Sequence, residues 1–277
     1  MIMWASKASP SLRSDELMDI REIIMTRKSV RTFDKRKITL EDKEKLCSYM
    51  ENIENPYGIP VKFLWLDSDE NNLSSPVIKG EDDYIAAKVP KVEHCEEAYG
   101  YSFEKLVLYA WSLGIGTTWI GGTMKRAHFE KVAETGPDEI MMCVTPVGYP
   151  SSKKSIIDKT LRSQVKGDER IPSTELFFEG NFDTPIKDED EILELVRWAP
   201  SAANMQPCRV VKSGNKYHFY KKANPKYKRN AGWDVQKIDM GIAICHLMSV
   251  IDGKFEISNP EITIPEGVEY IATVVAE

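Results

Sequence analysis

The feature that most limits how this chain can fold is that its elements come round twice in the same order. Met18 to Met25 reads as a helix, with Leu17, Ile20 and Ile24 on one face. Thr39 is placed as an N-cap, with Asp42 three residues on, and the helix it starts runs to about Glu51. Val61 to Leu66 reads as a strand between Pro60 and Asp67. Residues 67–90 are polar, contain Pro76 and Pro90, and are expected to be mostly loop. Glu97 to Leu113 is a long amphipathic helix with Phe103, Leu106, Ala110 and Leu113 along one face, ended by Gly114. Ile140 to Val147 is a strand. After a basic, polar connector over 151–170, Phe182, Asp183 and Ile186 echo Phe33, Asp34 and Ile38. Lys187-Asp188-Glu189-Asp190 echoes Thr39-Leu40-Glu41-Asp42 at a helix start. A helix to Trp198, a strand at Arg209 to Lys212, a long helix at Val235 to Val250 and a strand at Tyr270 to Ala276 follow. The second long helix carries Ile238, Ile242, Cys245 and Met248. Both parts thus run helix, strand, long loop, long helix, strand, the pattern of a duplicated unit. The expected halves are 15–165 and 166–277.

Composition excludes more than it selects. The net charge of −6 makes nucleic acid a poor partner, because phosphate backbones need clustered Lys and Arg. The basic run Lys221 to Arg229 is read as a solvated loop. No span approaches the ~20 apolar residues of a membrane helix. Met1 to Ser14 lacks the apolar stretch of a secretory signal, so a cytoplasmic location is expected. The five cysteines are widely spaced without a C-x-x-C, and are expected to be reduced and mostly buried. His94 beside Cys95 and His246 beside Cys245 are not metal pairs, since adjacent helical residues point apart. No metal is expected.

Three segments carry chemistry. Arg27-Lys28-Ser29-Val30-Arg31 puts two guanidiniums and a hydroxyl on a short extended stretch. Alternation would turn Arg27, Ser29 and Arg31 the same way, toward an anionic ligand with several hydrogen-bonding atoms. Basic residues after a helix also complement its C-terminal dipole, the plainer explanation. Ala199-Pro200-Ser201-Ala202-Ala203-Asn204-Met205-Gln206-Pro207 is a loop of small and amide residues, started by a proline that ends the helix. It can offer backbone and amide groups to a planar heterocycle; an ordinary helix-to-strand turn is the plainer alternative. Gly114 to Gly122 holds four glycines around Trp119 and Ile120. It fails G-x-G-x-x-G at Trp119 and lacks the Lys of a Walker loop. A helix cap explains Gly114 but leaves Gly121 and Gly122, where backbone can approach a ligand.

With Gly148-Tyr149-Pro150, these segments resemble the FMN-dependent nitroreductase family, over nearly all of residues 17–277. That family carries Arg-x-Ser-x-Arg, Pro-Ser-x-x-Asn-x-Gln-Pro, Leu-Gly-x-Gly and Gly-Tyr-Pro stretches. The order departs from the common one: here the Pro-Ser loop lies about eighty residues after the glycine-rich segment, in the second repeat. Its counterpart in the first repeat, Glu54 to Pro60, lacks the pattern, and Phe178-Glu179-Gly180-Asn181 and Asp252-Gly253 stand where the second repeat would carry the other two. Members of the family are typically homodimers whose FMN sites draw on both subunits. The chain is therefore similar to a single-chain pseudo-dimer with one retained site. The implied fold is α+β: a central, mostly antiparallel sheet flanked by helices, in two pseudo-symmetric halves fused in one chain.

The resemblance implies roles residue by residue. Arg27 would meet the FMN phosphate, and Lys28, Ser29 and Arg31 would lie at the cofactor, with Ser29 and Arg31 on the pyrimidine side of the ring. Trp119, Ile120, Gly121 and Gly122 would run past the ring edge, a glycine N–H reaching N5. Pro200, Ser201, Ala202, Asn204 and Gln206 would hold the ring edge and ribityl chain. Arg170, before Pro172, would be a late phosphate-binding arginine, with Lys153 and Lys154 as rivals. The implied reaction is ping-pong hydride transfer from NAD(P)H to a nitroaromatic, quinone or similar acceptor by a monomer. No acid or base is singled out. Two other readings stay open, an FMN-binding or sensing protein without rapid turnover and a flavin-free scaffold. Reductive dehalogenation is a further chemistry on this fold, for which Lys221 to Trp233 is the segment that could cover the site.

Overall fold

The computed structural model describes residues 19–225, 232–258 and 260–277. Leu17, Met18 and the end of the basic run, from Lys226 on, lie outside the described residues. In chain order the elements are α1 (Ile20–Thr26), α2 (Leu40–Glu51), β1 (Lys62–Leu66), β2 (Asp83–Pro90), α3 (Cys95–Ser112), α4 (Arg126–Val132), β3 (Glu139–Ile140), β4 (Val144–Val147), α5 (Ile156–Gln164), β5 (Phe177–Glu179), α6 (Glu191–Arg197), β6 (Cys208–Ser213), β7 (Lys216–Lys222), α7 (Val235–Met248), β8 (Gly253–Glu256) and β9 (Val268–Ala276). The expected Thr39 cap is present, its side chain accepting from Asp42 N, and at the start of α6 Asp190 is the cap, accepting from Ile192 N and Leu193 N.

The expected α+β architecture holds, with its sheet in two parts. In the first, β1, β3 and β4 all pair antiparallel with β2. In the second the order is β5-β6-β7-β9-β8, antiparallel except for the β5–β6 pair. Helix α3 packs on β2, α7 packs on β6 and β7, and the two helices pack on each other between the sheets. One apolar cluster runs through all four layers, from Ala87 and Val89 through Phe103 and Ile242 to Phe219 and Ile271. Burial of that size ties the two sheets together through the helix pair, with two smaller apolar clusters beside it.

The seam between the long helices is set by two glycines. A Cβ on Gly100 of α3 would sit 2.0 Å from the carbonyl oxygen of Ile238 on α7. A Cβ on Gly241 of α7 would sit 2.0 Å from the carbonyl oxygen of Glu97 on α3. Each helix lays the backbone three residues before its own glycine onto the glycine of the other. Only hydrogen fits at either place.

Several expectations change. Residues 83–90 form the central strand β2 rather than loop. Asp83 and Lys88 made the segment look polar, yet both are buried and paired: Asp83 accepts from Trp65 Nε1 and Ser68 N, and Lys88 donates to Glu134 O. The 151–170 connector contains α5, capped by Ser155. Strands β7 and β8 were also unexpected. Lys221 begins no solvated loop; it lies within β7, its side chain 5% exposed and paired with Asp234 and Glu269. Helix α3 is not amphipathic but buried nearly all round, Glu97 and Glu104 included. Cys95, Cys143 and Cys245 are buried, and all five thiols are free.

The helix seam gives a direct test. Gly241→Ala should lower the unfolding free energy by about 3 kcal/mol, the upper range for overpacking, because the obstructing atom is main chain and cannot rotate away. Urea denaturation followed by circular dichroism measures it; a change under about 0.5 kcal/mol, the range of an innocuous surface substitution, would contradict the close crossing.

Candidate functional site

The extended stretch after α1 runs beside the glycine-rich segment after α3. Val30 N donates to Thr117 O at 2.8 Å, and Ser29 bridges Thr117 in parallel. The first and third candidate segments are therefore neighbours. Within the stretch the side chains separate. Arg27 turns inward, its side chain 6% exposed, with Nε 3.6 Å from Glu104 Oε1 on α3. Lys28 is exposed, its ammonium over the Trp111 ring at 5.9 Å. Ser29 and Arg31 are half-buried, and Arg31 pairs with Asp158 of α5 at 3.6 Å.

Along the glycine-rich segment, Trp119 is half-buried and its indole N–H donates to Glu104 Oε2 at 3.1 Å. The Ile120 side chain is core, and its backbone N–H and carbonyl both bond Val144. Gly121 and Gly122 are exposed, and a Cβ on Gly122 would meet nothing within 4 Å. The fold itself does not demand glycine at 122. The Gly121 carbonyl accepts from Arg126, whose guanidinium lies over Trp233, just ahead of α7, at 4.6 Å.

The small-residue loop after α6 is strained and tightly tied. Ala203, Asn204 and Gln206 all have positive φ, near 50–56°, a conformation that costs non-glycine residues of order 1 kcal/mol each. Its ties come from three directions. Ala202 N donates to Asp239 Oδ1 of α7 at 2.9 Å, and Gln206 N donates to Ser201 Oγ at 2.8 Å. The Asn204 amide donates to Lys166 O and Glu169 O, while Ile171 N donates to Gln206 Oε1. Asn204 Oδ1 also accepts from Arg170 at 3.4 Å. Ser201, Asn204 and Gln206 thus brace the loop on the connector, and Pro200 packs beside Asp239.

Charge concentrates where these pieces meet. Arg170 stacks on Trp198 at 4.7 Å, and burial, then the like charges of Arg27 and Arg197, push its ionisation down to about 10. Burial likewise lowers Arg27, offset by Glu104 and worsened by Arg162. The Nε atoms of Arg27 and Arg170 are buried without a hydrogen-bond partner. Arginines that are mutually repelling and incompletely satisfied have the chemistry to hold an anion. Arg162 also lines an open groove with Lys154, Lys159 and Lys166. Lys153 is exposed.

Sequence reasoning missed Glu104, His246, Asp158, Arg162 and Asp239. Three of them carried a signal: an ionisable residue inside an otherwise apolar helix is either paired or functional. Glu104 lies within α3, and Asp239 and His246 lie within α7, all at 4% exposure or less.

Comparison with known proteins places this architecture. The family model described as "Putative TM nitroreductase" matches residues 19–251. The solved structure of a "putative nitroreductase" from Thermotoga maritima aligns with TM-score 0.61 at 20% identity, covering 98% of this chain and 99% of that one. An FMN-dependent nitroreductase from Clostridium difficile aligns over 48% of this chain and 88% of its own, TM-score 0.42 at 16% identity. Iodotyrosine deiodinase, solved with FMN and 3-iodo-L-tyrosine, aligns over 49% of this chain and 92% of its own, TM-score 0.40 at 17% identity. The first of these fixes the fold; the other two are partial likenesses. No curated protein sequence matches.

Asp239 gives the loop a pH signature. It lines a small, partly open pocket of about 20 Å³, room for one water, with Pro200, Ser201, Gln206 and Cys208. Burial pushes its carboxyl from the ordinary 3.8 up to about 8, against the Ala202 N–H and with help from Asp234. Between those values the folded state holds a proton that the unfolded state has lost, so stability falls as pH rises from about 4 to about 8 and then levels. Asp239→Asn should flatten that slope. Melting temperatures of both proteins across this range decide it; parallel curves would show that Asp239 does not titrate as a buried acid.

Proposed function

Because this chain belongs to the nitroreductase family whose model matches residues 19–251, we propose that it is an FMN-dependent oxidoreductase that takes reducing equivalents from NAD(P)H and passes them to nitroaromatic, quinone or similar acceptors. The observation that carries this reading is the meeting of the arginine cluster with the braced loop. Arg27 and Arg31 from the N-terminal part, and Arg170 with Asn204 from the C-terminal part, belong to one electrostatic neighbourhood linked through Arg162 and Asp158.

The residues present fit such a group. Two buried guanidinium Nε atoms lack partners, as a phosphate site without its phosphate would leave them. The open backbone at Gly121 and Gly122 can approach a flat ring edge without side-chain obstruction. The loop's strain is held before any ligand arrives, so its backbone groups are already ordered. FMN, when bound, supplies a two-electron carrier that accepts hydride from a nicotinamide and reduces a second substrate. Arg31 would place positive charge where the reduced ring gathers negative charge, and Arg27 and Arg170 would hold the phosphate. Pro200, Ser201, Ala202, Asn204 and Gln206 would shape the wall opposite.

The two parts of the chain, 15–165 and 166–277, would act as fused counterparts of two subunits, giving a monomer with one FMN. Reciprocal contact of Gly100 and Gly241 supports that relation. In this reading no helix carries the protein into a bilayer; among the described residues none is long and apolar enough to cross a membrane.

Purified protein should show a flavin visible spectrum, one FMN per chain, and bleach within seconds of adding NADH or NADPH without oxygen. Bound flavin that does not bleach would mark a binding or sensing protein instead. A colourless protein that does not titrate with FMN would end the proposal. Arg31→Ala should weaken FMN binding by roughly 1.5–3 kcal/mol, about tenfold to a hundredfold, as expected for a charge-assisted hydrogen bond. Fluorescence titration with FMN measures it, and an unchanged affinity would remove Arg31 from the site.

A further inference from the structure

Beneath the arginine cluster lies a buried ionic trio. Arg27 Nε is 3.6 Å, and His246 Nε2 is 3.2 Å, from the same oxygen of Glu104, while Trp119 holds the other oxygen. Glu104 and His246 are both fully enclosed. The second imidazole nitrogen, Nδ1, lies 2.9 Å from the carbonyl oxygen of Leu195 at the end of α6. A carbonyl oxygen can only accept, so Nδ1 carries a hydrogen. Nε2 faces a carboxylate oxygen. Without a proton between them, two lone pairs would face each other in a site with no water to intervene. Turning the ring over would set carbon atoms against both acceptors and lose both bonds.

We infer that Glu104 and His246 hold one proton between them, and that this proton makes the Arg27–Glu104–His246 trio a single net cation at the flavin site. The bookkeeping is the same for imidazolium with carboxylate or imidazole with carboxylic acid. Arg27 contributes one positive charge in either case, and the pair contributes none. Were the proton absent, Glu104 would cancel Arg27 and the site would lose that charge. Glu104 is therefore a positioning residue: it fixes Arg27 and Trp119, one from each of two ligand-facing segments, and His246 keeps it from neutralising the arginine it holds. The charged groups around the trio act in the same direction. Arg162 and Arg170 add positive field at Arg27, and the neighbouring Cys245 thiol is kept neutral by burial and by Glu104. The inference about the redox effect rests on the flavin reading given above; the shared proton does not.

The experiment is a charge rescue on the holoprotein. His246→Gln keeps an amide in the pocket but has no ionisable proton to share with Glu104, so the trio becomes neutral. Reduced flavin should then bind at least about tenfold more weakly relative to oxidised flavin, a drop in midpoint potential of about 30 mV for a two-electron couple. Adding Glu104→Gln restores the net charge and should bring the potential back toward that of the wild type. A purely structural role predicts the opposite, a double variant worse than the single. An unshifted potential in His246→Gln, or a double variant as low as the single, overturns the proposal. Nitrogen-15 histidine spectra of the wild-type protein decide the proton independently of any variant's folding: a protonated Nδ1 together with a hydrogen-bonded proton at Nε2 supports it, and a bare Nδ1 refutes it. Wild-type protein that binds no FMN would sink the flavin reading while these spectra still judge the shared proton.

Discussion

Everything in this molecule depends on the place where α3 and α7 cross. With glycine on carbonyl at both contacts, the helix axes come closer than side chains would allow, and each helix is buried on nearly every side. Closeness has a chemical result. Glu104 lies one turn beyond Gly100, and His246 lies five residues beyond Gly241, so polar side chains just past the crossing meet at hydrogen-bond distance across the seam. An ionic group placed there cannot be hydrated, and must be satisfied by protein partners. Arg27, Trp119 and Leu195 are those partners.

The acidic chain as a whole and the basic cluster within it are not in conflict. The net charge of −6 describes the surface average, whereas Arg27, Arg31, Arg162 and Arg170 are gathered by specific elements. Arg27 comes from the end of α1, Arg31 from the stretch beside Thr117, Arg162 from α5, and Arg170 from the segment that braces the small-residue loop. Carboxylates present nearby are already assigned: Glu104 to Arg27, Asp158 to Arg31, Asp168 to Arg162. What remains is a surplus of positive charge in a partly dry place. Such surplus is costly to folding and useful for holding an anion.

The sequence made the long helices, the Thr39 cap and the mixed architecture legible, because periodicity and capping are local signals. Strand β2 was hidden because its polar ends find partners only in three dimensions, Asp83 on Trp65 and Lys88 on Glu134. Helix α5 was hidden by its basic composition, since its docking runs through Asp158 to Arg31 rather than through an apolar face. Of the candidate site, the three segments were readable from residue types alone. Their internal wiring was not. Nothing in the sequence says that Asn204 turns to the connector, that Ile120 is core, or that Glu104 binds three donors at once. Those facts belong to the packing of elements far apart in the chain.

The glycine seam also constrains how a protein like this can drift. At most crowded contacts a larger residue on one side can be accommodated by a smaller one on the other. Here the obstacle on each side is a main-chain oxygen, which no exchange of amino acid can trim. A replacement at either position therefore has no second-site suppressor within the interface. The two helices are bound to a common evolutionary fate, however freely the surfaces around them diverge.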